Sequence, residues 1–189
     1  MTYNYNKLFF MKLLVGLGNP GKEYAKTRHN IGWMLLDILK EKFEATVFRS
    51  QAAFQAEVSE TRLGSEKVLL VKPTTYMNNS GETVNALISY YHLSPADVLV
   101  LQDEMDYPLG KFAFAATGGA AGHNGIGSIH SLLGTKEIGR LRLGIDRPQG
   151  PLKAQDYVLQ AFSDEERETL AQVLETATKA VQDWTIIGL

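Results

Sequence analysis

The sequence contains no cysteine. That excludes disulfides, thiolate nucleophiles and cysteine-ligated zinc, and it fits a cytoplasmic protein. No run of 18 apolar residues occurs, so no membrane-spanning helix is expected. No G-x-S-x-G or S-x-x-K pattern is found, which removes the usual settings of a serine nucleophile. Positive charge is not in surplus: 19 Lys and Arg stand against 21 Asp and Glu, a formal net charge of -2. A nucleic acid would therefore have to be held by a local basic patch. Long linkers, repeats and low-complexity tracts are also missing.

What is present suits one compact domain. The chain has 189 residues, 44% of them hydrophobic and 21% charged, the balance of a globular protein. Strand-like and helix-like runs alternate, which predicts an α/β fold. Residues 8–17 read as a buried first strand, with Lys12 and the following glycines arguing against a signal peptide. Residues 1–10 read as an N-terminal extension before Met11, and residues 11–189 as a single domain. Ile31, Met34, Leu35, Ile38 and Leu39 recur at helical spacing, with Asn30 placed to cap them. Strands are expected over residues 53–60 and 67–72, joined by a turn at 62–65. Val84, Leu87, Ile88 and Tyr91 mark a second helix, with Asn79 and Glu82 as its capping box. Residues 97–102, 111–116 and 140–145 read as further strands. A flexible stretch, 117–122, leads to a short helix near 125–133. Ser163 and Glu166 form a capping box for a last helix bearing Leu170, Val173, Leu174, Ala177 and Val181 on one face.

Five segments carry polar groups in places where chemistry gathers. Gly16-Leu17-Gly18-Asn19-Pro20-Gly21 matches the dinucleotide fingerprint G-x-G-x-x-G, but helical periodicity starts only at Ile31, too late to meet a pyrophosphate. A plain turn, or a loop presenting Asn19, are the other readings. His29, at a loop–helix junction, is either a cap or a neutral general base. Tyr76, Met77 and Asn78 follow a strand's carboxyl end, where α/β folds bind ligands. The cluster Asp103-Glu104-Met105-Asp106 is open to three readings: a divalent-ion site, a solvated loop, or a carboxylate orienting a histidine. His123 and Asn124 sit in a glycine-rich segment. Asn124 is a candidate helix cap, and His123 a candidate metal ligand with His29 and Asp103.

The order and wording of these segments resemble bacterial peptidyl-tRNA hydrolases. Val15–Tyr24 and Thr27–Gly32 resemble that family's opening, and residues 72–81, 103–106, 122–125 and 140–144 its later motifs. The resemblance runs from about Lys12 to the last helix. It implies a single α/β domain with a twisted mixed β-sheet flanked by helices. The implied activity is hydrolysis of the ester joining a peptide, or an N-blocked aminoacyl group, to the 3′ end of tRNA. That reaction rescues stalled translation and returns the tRNA. The resemblance implies no cofactor, no metal and no membrane, and a monomer is expected. By matching position, His29 is the catalytic base and Asp103 the carboxylate that keeps it basic. Asn19 selects N-blocked substrates. Tyr24, Tyr76, Asn78 and Asn124 contact substrate, and Arg142 contacts tRNA. Ala113, Ala115 and Gly127 stand where basic residues are usual. RNA binding is therefore expected to be weaker, or to be moved to Lys111, Lys136, Arg140, Arg142, Arg147 and Lys153.

Overall fold

The computed structural model describes residues 11–187; the expected N-terminal extension, and the start of the first strand at residues 8–10, lie outside them. Seven strands form one mixed sheet in the order β2-β3-β4-β1-β5-β7-β6. These are β1 (Met11–Gly16), β2 (Arg49–Gln51), β3 (Ala56–Leu63), β4 (Glu66–Pro73), β5 (Val98–Glu104), β6 (Phe112–Ala115) and β7 (Gly139–Gly144). The four inner strands β4, β1, β5 and β7 run parallel, and β2, β3 and β6 join antiparallel at the edges. This is the mixed α/β sheet the sequence predicts.

The inner strands are apolar on both faces, as parallel strands covered on both sides must be. Leu14, Leu99, Leu101, Leu141 and Leu143 pack with α1 (Ile31–Lys42) and α5 (Arg167–Ile187) in one core layer. Leu13, Val15, Val98 and Val100 face the other way, against α2 (Ser80–Tyr91) and α3 (Asn124–Leu133). Period-2 alternation in the strands and 3.6-residue spacing in the helices generate these layers.

Several boundaries differ from expectation for local reasons. β3 starts at Ala56 because Ala52–Phe54 forms a 3-10 turn closed by Gln55 in the left-handed region. Its turn to β4 shrinks to Gly64 and Ser65, with Gly64 at φ +61. Asn79 makes no capping bond, and Glu82 instead accepts a hydrogen bond from Gln55 Nε2 at 3.1 Å, so the expected capping box is absent. At the last helix, Glu166 does accept the Ser163 N–H at 2.7 Å, although the helix itself begins at Arg167. Strand β2 and the one-turn helix α4 (Ala154–Tyr157) carry no sequence signal that predicted them.

Two glycines set how closely α1 rides over the sheet. A Cβ on Gly32 would lie 2.4 Å from the Leu101 carbonyl oxygen, and one on Gly16 would lie 2.6 Å from the Gly32 carbonyl oxygen. Both obstacles are backbone and cannot move aside. Gly32→Ala is expected to destabilise by about 1–3 kcal/mol through overpacking. Gly127 lies inside α3 with nothing within 4 Å of an added methyl, so Gly127→Ala is expected to stabilise by about 0.5–1 kcal/mol. Urea unfolding of the two variants checks the opposite signs.

Candidate active site

The segments singled out in the sequence meet at the carboxyl ends of β1, β4 and β5. After β1 the chain crosses to a 3-10 turn, Arg28–Asn30, that leads into α1. This turn is held from outside by the C-terminal segment. The backbone N–H of Arg28 donates to Gln160 O at 2.9 Å, and that of His29 to Val158 O at 2.8 Å. The Arg28 guanidinium makes two bonds to the Glu166 carboxylate, at 2.8 and 2.9 Å. It also lies against the rings of Tyr157 and Phe162. His29 is thus 8% exposed rather than a surface cap. Nothing local in the sequence pairs Arg28 with a residue so far along the chain.

His29 Nδ1 lies 2.8 Å from Asp103 Oδ1. An ionised carboxylate only accepts, so Nδ1 carries the proton and Nε2 keeps its lone pair. Asp103, next to the last residue of β5, is 3% exposed. Burial pushes its carboxyl upward, but the charge and hydrogen bonds of His29 and His123 outweigh this and hold it well below the usual carboxylate range. His123 Nε2 reaches the same oxygen, Oδ1, at 3.0 Å. His123 Nδ1 accepts the backbone N–H of Gly125 at 3.2 Å and of Ile126 at 3.4 Å. His123, not Asn124, is therefore the N-cap of α3.

The metal reading does not fit this donor set. His29, Asp103 and His123 are close enough together to be considered as ligands. Yet His123 Nδ1 is taken by the N–H groups of Gly125 and Ile126, so its Nε2 carries the proton and has no lone pair for a metal. The remaining acids turn elsewhere: Glu104 pairs with Arg142, and Asp106 with Arg147.

Asn19 is fixed by a residue expected to cap a helix. Asn30 is fully buried, and its side chain makes no cap bond. It accepts the Asn19 N–H and donates to the Asn19 carbonyl, both at 2.9 Å. The Asn19 side-chain oxygen accepts the Met77 N–H at 2.8 Å, which leaves its NH₂ group as the free end. Met77 is buried, and its sulfur would sit 2.6 Å from a Cβ on Gly125. The loops after β1 and β4 and the start of α3 are thereby locked together. Gly18 lies against the Trp33 indole, 2.7 Å from a would-be Cβ, so this glycine serves helix packing rather than a phosphate cradle. No helix starts in the loop, and the dinucleotide reading fails on that point.

A cavity of about 330 Å³ opens beside these groups, lined by His29, Asp103, His123, Asn124, Lys153 and Val158 among others. Asn124 and Lys153 are exposed on its wall. Asn19, Tyr24, Tyr76, Asn78 and Arg142 are not part of that lining. Asn78 and Tyr76 flank Met77 on the surface, Tyr76 at 60% exposure. Tyr24 is half-buried, its carbonyl accepting the Thr27 hydroxyl. Arg142 is held by Glu104 at 2.8 Å and by the Tyr107 hydroxyl at 2.9 Å. Arg140 is buried, bonded to the carbonyls of Thr117 and Gly119. It braces a loop rather than offering charge to RNA.

Two outcomes follow from this geometry. Asn30→Ala leaves both backbone groups of Asn19 without their buried partner, and unfolding stability is expected to fall by about 2–4 kcal/mol. The Asp103 carboxyl is lowered in the folded state, so its stabilisation is present above the unfolded value, near pH 4, and is lost as pH falls toward the folded one. The stability difference between the wild type and Asp103→Asn should shrink as pH drops from about 5 to about 2. A difference that stays constant in urea titrations would contradict the pairing.

Comparison with known proteins bears on the family and the fold. The family model described as peptidyl-tRNA hydrolase matches residues 13–188. Peptidyl-tRNA hydrolase of Desulfitobacterium hafniense is 45% identical over 178 residues, covering 94% of this chain and 95% of the relative. That of Lactiplantibacillus plantarum is 47% identical over 174 residues, covering 92% of each. The crystal structure of peptidyl-tRNA hydrolase from Acinetobacter baumannii superposes with a TM-score of 0.88 at 31% identity, covering 94% of this chain and 89% of that one. On these grounds the chain belongs to the peptidyl-tRNA hydrolase family.

Proposed function

We propose that this chain hydrolyses the ester between the C-terminus of a peptide, or an N-blocked aminoacyl group, and the 3′-terminal ribose of tRNA, with His29 as general base. The observation that carries the reading is the His29–Asp103 pair at the cavity wall, with His29 Nδ1 committed to a buried carboxylate. Nε2 is then the basic atom. It takes a proton from water as the oxygen attacks the ester carbonyl, and returns it to the departing ribose oxygen. Asp103 holds the tautomer and stabilises the imidazolium between these steps.

Neutral amides stand on the cavity wall (Asn124) and in the neighbouring loops (Asn19 and Asn78), and they suit an acylated, uncharged amino end. The Asn19 NH₂ is aimed by the anchoring of its oxygen to Met77, and it takes the role of selecting blocked substrates. Asn124 and Asn78 donate to the developing oxyanion and to peptide carbonyls. Tyr24 and the exposed ring of Tyr76 contact the substrate, Tyr76 by stacking. Arg142 contributes to RNA contact from its place beside Glu104, and Lys153 presents a charge at the cavity mouth for a phosphate of the tRNA acceptor end. In this reading the protein works as a cytoplasmic monomer without a cofactor. Among the described residues, no helix is long and apolar enough to cross a membrane.

Cleavage of N-acetylaminoacyl-tRNA against free aminoacyl-tRNA tests the reading. The blocked substrate should be cleaved far faster, with the activity unaffected by chelator. His29→Ala should lower kcat by roughly 10²–10⁴. Near-normal cleavage by His29→Ala would overturn it.

A further inference from the structure

One oxygen of Asp103 receives two imidazoles. His29 Nδ1 and His123 Nε2 both meet Oδ1, at 2.8 and 3.0 Å, and their ring centroids lie 5.0 Å apart. The proton on His123 is set by the helix it caps. The N–H groups of Gly125 and Ile126 point at Nδ1, so Nδ1 must present a lone pair and Nε2 must carry the proton. A carboxylate oxygen has two lone pairs and can serve both rings. Each donor draws on the same negative charge, however, so a second donor weakens the hold on the first.

We infer that His123 is a positioning residue that shares Asp103 with His29, and thereby sets how firmly the carboxylate binds the His29 imidazolium and over what pH range His29 works as a base. The inference rests on the function proposed above. Without His123, Asp103 Oδ1 would turn its full charge on His29. The imidazolium would be over-stabilised: free base would appear only at higher pH, and the proton would be returned to the ribose oxygen less readily. Other charged groups near His29 are already engaged or stand at the rim. Arg28 is bonded to Glu166 and Glu104 to Arg142, while Lys153 lies exposed on the cavity wall.

Two substitutions separate this role from helix capping. His123→Asn keeps a short side-chain acceptor for the α3 N–H groups but cannot reach Asp103. His123→Gln can extend an N–H toward Asp103 but caps poorly. The His29 ring is followed by NMR against pH in each variant, alongside the pH profile of kcat for N-acetylaminoacyl-tRNA cleavage. His123→Asn is expected to move the His29 titration and the acid limb of the profile upward by on the order of half a pH unit to one unit. It should lower kcat more than it changes KM. His123→Gln should keep both curves near the wild type while lowering the melting temperature by about 2–4 °C. An unmoved His29 titration in His123→Asn, or equal movement in both variants, would overturn the inference. The NMR arm needs no turnover, so its failure is distinguishable from a failure of the proposed reaction.

Discussion

A carboxylate at the end of a central strand, almost wholly removed from water, must be compensated or it will take up a proton. Asp103 meets this constraint with two imidazole N–H donors on one oxygen. The compensation works in both directions. It keeps the acid ionised, and it fixes the tautomer of each histidine. Placing Asp103 near the carboxyl end of β5, the strand between β1 and β7, obliges the loops after β1 and before α3 to bring His29 and His123 to it. The site is thus what the neighbouring loops must build around one buried charge.

The rest of the structure supplies the rigidity that this demands. Asn30 ties the β1 loop to itself through Asn19, and Asn19 ties it to the β4 loop through Met77. Arg28 anchors the same turn to the C-terminal segment through Glu166 and two aromatic faces. The glycine contacts of Gly16 and Gly32 bring α1 down onto the strand ends, so the turn bearing His29 is pressed against β5. Apart from the Arg28 clamp, these restraints act on backbone. That suits a general base, whose contribution depends on holding one atom within hydrogen-bond reach of a water.

The strands and the two-sided core were legible because parallel strands covered on both faces appear as continuous apolar runs. Helix existence was legible for the same periodic reason. Helix caps were not. Asn30, Asn79 and Asn124 all have the right chemistry and position for a cap, yet Asn30 serves Asn19 and His123 takes the cap of α3. Capping residues are the residues that also bond to loops, and only tertiary structure decides which partner wins. His29, Asp103 and Asn124 stood out in the sequence by falling next to strand or helix ends, and they line one cavity. The wall from Lys153 to Val158 and the Arg28–Glu166 clamp had no local pattern, since both depend on contacts between distant parts of the chain.

The register of β6 on β7 bears on how this chain meets RNA. Ala113 lies directly opposite Arg142, and Ala115 opposite Arg140. These alanines occupy two of the positions where the family resemblance leads one to expect basic residues. A lysine at either place would face an arginine on the same side of the sheet, a repulsive pair that only an anion would relieve. Such a pair would be poised to take a phosphate. With alanine at both places neither arginine faces a cation across β6, and each is held by acceptors of this chain: Arg142 by Glu104 and Tyr107, Arg140 by the carbonyls of Thr117 and Gly119. Phosphate contacts supply most of the salt-dependent affinity for RNA. With both positions filled by alanine, β6 itself offers a phosphate no lysine or arginine side chain, while the His29–Asp103 pair stays in place. The net charge of -2 fits the same balance. A chain without net positive charge has to hold RNA through local cationic groups, and Lys153, exposed on the cavity wall beside the Asp103-centred cluster, is one of them.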